Sequence, residues 1–368
     1  MMRQLSGVAL FILLPAAAGA QVKLLAVGSV PASAVDKSGL TEKLEDGTPH
    51  NLLGGFGSGI AWTGKGNRYV LVPDRGPGSN VSYQCRFHLA DIQVAGDEVH
   101  FDLLETKLLR NKMGTPFVGA SHALHNRLDP EGIRVSAKGT IYLSDEYGPH
   151  LLEFDSGGNW IRSFEVPAAF QIYKPSGVAA EELRQNAQGR VPNRGLEGLA
   201  LSLDGKALFG AMQGPLIQDG GRAGLYCRLL EVDIASGKTR QFVYTLENTK
   251  TGINEIVAIA PGEYLVLERD GKKVKSRVCK IYRVRLAKAT DVSSVASLPK
   301  AGLPAGIVPV TKSLFLDMTL LGLDLPPKIE GLAFGPDFPD GRKLLLVTSD
   351  NDFLAGQPTM IYAFSVAP

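Results

Sequence analysis

Short apolar segments separated by glycine-bearing and proline-bearing turns recur along most of the chain in a fixed order. A first apolar strand starts at a Glu-Gly pair or a close relative of it. These starts carry Glu131, Glu197, Glu255 and Glu330, and Ser58 stands in the same place in Gly57–Trp62. A second apolar strand follows each start, and a third shows period-two alternation, as in Cys227–Asp233. The pattern predicts an all-β chain.

The repeating unit predicts a β-propeller. Four short strands per unit, recurring about every 40 residues with insertions between them, are typical of propeller blades. Five units are visible, beginning near Gly57, Asp129, Gly195, Gly252 and Lys328, and a sixth blade in divergent sequence is the alternative. The last unit has only three strands. We therefore expect Val22–Val27 to supply the fourth strand and to close the ring, which hides a sheet edge.

Three stretches do not fit the blade pattern: Thr106–Leu128, Pro167–Arg194 and roughly Ala287–Pro327. We interpret them as insertions over one face of the propeller, where binding residues concentrate, or alternatively as inert decoration. Within the second stretch, Val178–Asn186 has the composition of a helix.

The first twenty residues have the features of a signal peptide. Arg3 precedes a short apolar core at Leu5–Leu14, and Ala18–Ala20 is a small-residue cleavage site. Cleavage after Ala20 leaves residues 21–368, which we interpret as a single propeller domain with no integral membrane segment. The expected destination is periplasmic or secreted, and an uncleaved membrane anchor is the alternative.

The charge balance and the cysteine content argue against a nucleic-acid partner, a disulfide framework and a zinc site. The chain has 39 Lys and Arg against 37 Asp and Glu, so nothing favours a nucleic-acid partner, which would call for a strong basic excess. Cys85, Cys227 and Cys279 each precede a basic residue in similar strand sequence. Equivalent positions in a repeat favour free, half-buried thiols over a disulfide framework. No Cys and His spacing suited to zinc occurs.

Motifs at the ends of the second strands resemble a known family. The residues that carry the resemblance are Asp74-Arg75-Gly76, Ser144–Pro149 and Ser349–Phe353, together with the Glu-Gly starts. They resemble the phytase-like family of secreted bacterial proteins, the "esterase-like activity of phytase" group, over about Val27 to Ala363. That family is similar in architecture to calcium-dependent β-propeller phytases, which cleave phosphomonoesters. The resemblance implies a hydrolase.

A ring of carboxylates is expected at one mouth of the channel. First strands line a propeller's axis, so Glu131, Glu197, Glu255 and Glu330 should converge there. Carboxylates brought together cannot all stay ionised without cations, and calcium takes six to eight oxygen ligands. The adjacent second-strand ends add candidate calcium ligands at Asp74, Asp145, Asp350 and Asn351. The alternative is structural: these glutamates bind backbone amides or pair with arginines.

Three arginines at the same end, Arg75, Arg194 and Arg269, are candidates for a phosphate or carboxylate cradle. We expect them to act catalytically with Glu146 while an activated water attacks in line. Tyr147 and His150 follow in the same turn and are expected to contact substrate. Ion pairing within the acidic ring is the alternative for the arginines.

The sequence thus favours an exported, calcium-dependent hydrolase of a small-molecule ester or phosphoester. Two alternatives stay open. One is a non-catalytic propeller that binds a ligand or a protein. The other is a lactonase-like propeller with mixed carboxylate and amide ligands, for which Asn193, Asn254 and Asn351 are available. The oligomeric state is not indicated by any pattern.

Overall fold

Residues 22–271 and 278–367 are described by a computed structural model, and they form five four-stranded antiparallel sheets. The expected signal peptide lies outside the described residues. In chain order the strands are β1 (Val22–Val30), β2 (Gly59–Trp62), β3 (Arg68–Val72), β4 (Arg86–Ala95), β5 (Glu98–Leu108), β6 (Pro130–Val135), β7 (Ile141–Asp145), β8 (His150–Phe154), β9 (Trp160–Phe164), β10 (Leu196–Leu201), β11 (Ala207–Met212), β12 (Tyr226–Asp233), β13 (Thr239–Thr245), β14 (Thr251–Ala260), β15 (Glu263–Asp270), β16 (Cys279–Arg285), β17 (Thr311–Asp317), β18 (Ile329–Asp337), β19 (Lys343–Ser349) and β20 (Thr359–Val366). An α-helix, α1, spans Ala179–Gln185.

Each sheet is one blade, and its strands follow one another along the chain. Blade 1 is β2–β5, blade 2 is β6–β9, blade 3 is β10–β13, blade 4 is β14–β17, and blade 5 combines β18–β20 with β1. The first strands contact one another in a closed cycle, from β2 through β6, β10, β14 and β18 back to β2. The prediction of an all-β propeller is confirmed with five blades.

The N-terminal strand closes the ring. β1 pairs antiparallel with β20, from Val22 opposite Val366 to Val30 opposite Thr359. The prediction that the N-terminus supplies the missing strand is confirmed, with a strand slightly longer than Val22–Val27. This pairing covers the edge of β20 that would otherwise be open to other chains.

The boundaries of the insertions need two corrections. Thr106–Leu108 belongs to β5, and the third stretch contains β17, the outer strand of blade 4. β17 was missed because an outer strand faces solvent, and most of its side chains are exposed or half-buried, so it lacks an apolar run. The predicted helix over Val178–Asn186 is confirmed as α1. Within the described ranges, no helix is long and apolar enough to cross a bilayer.

Apolar cores lie between neighbouring blades. One core joins Phe209 and Leu229 of blade 3 to Ile256 and Val266 of blade 4. The three cysteines lie in similar places, each within one residue of the start of a third strand. All three are free, and they are fully buried rather than half-buried as we expected. Burial raises the pKa of each thiol, so the thiols stay protonated and unreactive.

A buried arginine spans the channel. Arg134 of β6 donates from Nη1 to the carbonyl oxygens of Ile60 (3.0 Å) and Ile133, and from Nη2 to those of Ile256 (2.7 Å) and Leu332 (3.5 Å). These carbonyls belong to β2, β6, β14 and β18. One guanidinium therefore joins the inner strands of four blades.

Glu255 is the partner of this arginine and reaches the fifth blade. Its Oε2 lies 3.1 Å from Arg134 Nη2, and its Oε1 accepts from the backbone amides of Leu199 and Ile256, each at 2.9 Å. Leu199 lies in β10, so the ion pair contacts the inner strands of all five blades. Glu255 is fully buried, and burial raises its pKa to about 7, although Arg134 opposes the shift.

Arg134→Met should destabilise the propeller severely. The substitution leaves Glu255 buried without its cation and several carbonyls without donors, and breaking a buried ion pair costs about 3–5 kcal/mol. Denaturant unfolding would measure the free energy change. In a double-mutant cycle, the variant with both Arg134→Met and Glu255→Leu should lose less unfolding free energy than the two single variants lose in sum. A loss under about 1 kcal/mol for Arg134→Met alone would contradict this role.

Candidate functional site

A β-bulge at the start of the inner strands turns one residue toward the channel axis. The register shifts in β6, β10, β14 and β18, and the shifts include Glu131, Glu197, Asn254 and Glu330. Ser58 holds this place in blade 1, because Gly57 and Gly59 on either side both pair with Val72. A bulge is a common device for redirecting a side chain next to a functional site. These five residues form the acidic mouth of the channel.

Glu255 is not part of the acidic mouth, contrary to our expectation that four glutamates converge. It lies one residue past the bulge of β14, where β10 has Gly198 and β18 has Gly331. Asn254 takes the bulge position instead, and its Nδ2 lies 3.2 Å from Glu197 Oε1. The mouth therefore combines three glutamates with an amide.

Two glutamates of the mouth and the adjacent Glu146 form a carboxylate group that has few nearby cations. Glu131, Glu146 and Glu197 are buried, and each offers an oxygen within 4.8 Å of the other two. The cation nearest to this group is Arg75, whose Nη1 is 3.9 Å from Glu146 Oε2. Among the described residues, Glu146 Oε2, Glu197 Oε2 and Asn254 Oδ1 have no hydrogen-bond partner. Buried oxygens left without a donor fit a cation that takes oxygen ligands.

Two neighbouring carboxylate groups carry their own cations. In the group Asp74, Asp129 and Glu131, Arg75 Nη1 lies 2.7 Å from Asp129 Oδ2. In the group Asp74, Asp350 and Asp352, Lys328 lies 2.6 Å from Asp350 Oδ2 and also contacts Asp352. These two groups are therefore partly neutralised by the protein itself.

The crowding changes the titration of the mouth. Burial raises the pKa of Glu131 well above its ordinary value, and the neighbouring Glu197 raises it further. Burial also raises the pKa of Glu197, and the charges of Glu146 and Glu330 add to the effect. Without an added cation, these groups resist ionisation more strongly than free glutamates do.

The three arginines are not equivalent. Arg75 pairs with Asp129, and Arg269 pairs with Glu330 and donates to the carbonyl of Asp270. Arg194 has no ion-pair partner within the described ranges, and its buried Nη1 has no hydrogen-bond partner. Burial and the nearby Arg222 lower the pKa of Arg194, while Glu197 and Glu146 oppose this. Arg194 directly precedes Gly195, whose backbone amide donates to Glu146 Oε1 (3.2 Å). Arg194 is the arginine that stays available to an anion.

Several predicted ligands organise turns. Asp145 accepts from the backbone amides of Asp129 and Gly148, both at 2.8 Å. Asn351 Oδ1 accepts from the amides of Gly55 and Phe353, and neither Asp145 nor Asn351 lies in the carboxylate groups described above. Asp74 and Asp350 also cap turns, but their second oxygens face Lys328.

Tyr147 and His150 differ in accessibility. The Tyr147 hydroxyl donates to the carbonyl of Gly119 (2.8 Å), and its buried ring packs against Arg75 and Arg127. Tyr147 is therefore placed to position Arg75. The His150 side chain is 49% exposed, with Nε2 4.0 Å from Asp145 Oδ2, so it is open to solvent at this end of the blades.

Two charged residues of the site, Asp129 and Lys328, were not predicted as site residues. Each lies two residues before a bulge residue, a position that is glycine in blades 3 and 4 (Gly195 and Gly252). A charge at a glycine position of the repeat is the signal that identifies them. Counting from Gly252 would likewise have placed Asn254, not Glu255, in the mouth.

Glu131 and Glu197 should make the metal-free protein more stable at mildly acidic pH than at neutral pH. Because their folded pKa lies above the unfolded value of 4.5, the folded state binds more protons, and stability falls as pH rises through the folded pKa. The slope reaches at most about 1.4 kcal/mol per pH unit for each group. Denaturant unfolding in the presence of a chelator, at about pH 5.5 and about pH 7.5, measures the stability of the metal-free protein at the two pH values. The double variant Glu131→Gln with Glu197→Gln should reduce the difference in unfolding free energy between the two pH values. Glu98→Gln, at an exposed site, should leave that difference unchanged. An unchanged difference in the double variant would contradict the assignment.

The chain is similar to several known proteins. An uncharacterized secreted protein from Arthroderma benhamiae is 27% identical over 462 residues, covering 91% of this chain and 88% of the relative. Among solved structures, a protein of unknown function from Dyadobacter fermentans is 12% identical with a TM-score of 0.40, covering 94% of this chain and 99% of that one. The PQQ-bound aldose sugar dehydrogenase from Streptomyces coelicolor is 12% identical with a TM-score of 0.33, covering 84% of this chain and 79% of that one. Likeness this low carries no functional argument.

The family assignment comes from sequence. The profile of the phytase-like family, described as "Esterase-like activity of phytase", matches residues 51–353, which is most of the chain and includes all five blades in whole or in part. The chain belongs to the phytase-like family.

Proposed function

We propose that this protein is a calcium-dependent hydrolase of phosphate or other esters whose centre is the acidic mouth. The observation that carries the proposal is the buried group Glu131, Glu146 and Glu197, which is short of cations and includes oxygens without hydrogen-bond partners. Burying carboxylates without compensation is costly, so an arrangement of this kind is expected where an ion is bound.

The donors fit calcium better than zinc or copper. Glu131, Glu146, Glu197 and the amide oxygen of Asn254 are all oxygen ligands, which suits calcium, and the group contains no histidine or cysteine. Bound calcium would supply the positive charge that polarises a phosphoryl or carbonyl oxygen.

The chain's own residues would bind the substrate and move protons. The unpartnered guanidinium of Arg194 is suited to hold an anionic oxygen of the substrate. Arg75 is fixed by Asp129 and by the ring of Tyr147, so it stabilises charge at a defined place. The exposed imidazole of His150 is suited to protonate a leaving group.

We also propose that the protein is exported. The signal-peptide features of residues 1–20 support this, and so does the similarity to a secreted protein from Arthroderma benhamiae.

A lactonase-like activity is the second candidate, and Asn254 is the observation that favours it. An amide oxygen beside carboxylates at the channel axis is the mixed ligand set expected for such an enzyme. Parallel assays with an aryl phosphate, an aryl carboxylic ester and a lactone would distinguish the activities. A non-catalytic binding propeller would turn over none of them with any divalent ion.

Calcium should raise the thermal unfolding temperature, and Glu197→Gln should remove most of that increase. The substitution keeps the size of the side chain but removes one carboxylate ligand from the buried group. Thermal unfolding with and without calcium measures the effect, with Glu98→Gln on the exposed part of β5 as the matched control. If Glu197→Gln responds to calcium like the wild type, the ion does not bind at the acidic mouth.

Arg194→Gln should lower kcat/KM for an aryl phosphate about 10- to 100-fold, because a hydrogen bond to a charged group contributes roughly 1.5–3 kcal/mol. The increase in unfolding temperature on adding calcium should persist, since Arg194 is not a proposed ligand. Arg68→Gln, at an exposed position, is the control and should retain full activity. Full activity of Arg194→Gln would exclude this arginine from substrate binding.

A further inference from the structure

One position recurs at the end of every second strand, directly after the residue that pairs with the start of the inner-strand bulge. In blade 3, Met212 pairs with Leu196, the residue before Glu197, and this position is taken by Gln213. The strand-end positions of the five blades are Pro73, Glu146, Gln213, Arg269 and Asp350. They carry a cation in blade 4, carboxylates in blades 2 and 5, and a neutral amide in blade 3.

Gln213 holds the side chain of Glu197 through a neutral donor. Its Nε2 donates to Glu197 Oε1 (2.5 Å), and Asn254 Nδ2 donates to the same oxygen (3.2 Å). Glu197 Oε2 is buried and has no hydrogen-bond partner among the described residues. Two amides therefore fix the orientation of this carboxylate, but they do not cancel its charge.

Arg269 shows what a cation does at the strand-end position. It forms an ion pair with Glu330, which is the bulge residue of the next blade. From Gln213, the bulge residue of the next blade is Asn254, whose amide lies 3.2 Å from Glu197. A guanidinium that took the same course from position 213 would end beside the carboxylate of Glu197. The neutral side chain in blade 3 is therefore the reason that Glu197 lacks the internal cation that Glu330 has.

The other cations that pair around the mouth do not replace this missing charge. Arg75 Nη1 lies 2.7 Å from Asp129, and Lys328 Nζ lies 2.6 Å from Asp350. In the part of the chain that the structure describes, no lysine or arginine forms an ion pair with Glu197. The charge of this carboxylate is left for something other than these side chains to compensate.

We propose that Gln213 is a positioning residue that makes the acidic mouth depend on a bound cation, because it orients Glu197 and leaves the negative charge for the ion to compensate. The inference rests on the proposed function as far as the ion is calcium. Residues that hydrogen-bond to metal ligands fix the orientation of those ligands, and changing them typically alters metal affinity by about 10- to 100-fold.

Substitutions of opposite charge at position 213 test this role. Gln213→Arg introduces an internal cation and should weaken calcium binding at least about tenfold. Gln213→Glu keeps the size of the side chain and adds a negative charge, so calcium should bind at least as tightly as to the wild type. Isothermal titration calorimetry measures both affinities. Unchanged affinity in Gln213→Arg, or equal weakening in both variants, would overturn the proposal, since a role in shape alone is indifferent to the sign of the charge.

Gln93→Arg is the matched control. Gln93 is exposed on β4, and its Nε2 donates to Asp91 Oδ1 (2.8 Å), so it also joins an amide to a carboxylate. Calcium affinity should stay at the wild-type value in this variant. A loss as large as that in Gln213→Arg would assign the effect to net charge and would also overturn the role of position 213.

Thermal unfolding in chelator at about pH 7.5 separates failure of this inference from failure of the proposed function. Without calcium, Gln213→Arg supplies the charge that Glu197 lacks and should unfold roughly 2–4 °C higher than Gln213→Glu. If the wild type does not bind calcium, the proposed function fails, and this comparison still decides the role of Gln213. An unfolding temperature of Gln213→Arg at or below that of Gln213→Glu would contradict the role. Circular dichroism shows whether each variant is folded, and Gln213→Lys replaces Gln213→Arg if the longer guanidinium prevents folding.

Discussion

The ion pair between Arg134 and Glu255 is the interaction on which the rest of this propeller depends. A propeller packs its apolar cores between blades, so no single core holds the inner strands together at the axis. Here a buried guanidinium and a buried carboxylate bind backbone groups of all five inner strands.

The cations around the acidic mouth are distributed unevenly, and they leave one group of carboxylates with little compensation. Arg75, Arg269 and Lys328 each neutralise particular carboxylates around the edge of the mouth. A mouth with a purely structural purpose would be expected to carry a cation for every cluster of acids. Instead, Glu131, Glu146 and Glu197 are brought together, and Arg75, 3.9 Å from Glu146, is the one cation that forms an ion pair with them among the described residues. The packed blades hold these side chains in place, as the proposed ion site would require.

The sequence was sufficient for the architecture and for much of the site. Repeated Glu-Gly starts located the blades, and Glu131, Glu197 and Glu330 do lie at one mouth. The assignment of Glu255 failed because a β-bulge shifts the pattern by one residue, and alternation along a strand does not reveal where a bulge begins. Asp129 and Lys328 were overlooked because each occurs once, so repetition does not mark them. The three arginines had the same appearance in sequence, and only their partners in space separate Arg194 from Arg75 and Arg269.

The pairing of β1 with β20 has a consequence for the order of events during synthesis. More than 300 residues separate these strands, and blade 5 cannot form its complete sheet until the chain has been made through Val366. Blades 1 to 4 use strands that are contiguous in sequence and can assemble as they emerge, but the ring stays open until β20 has also emerged. Ring closure is therefore the last step in assembling the blades, and a chain that has not reached it retains an unpaired β1.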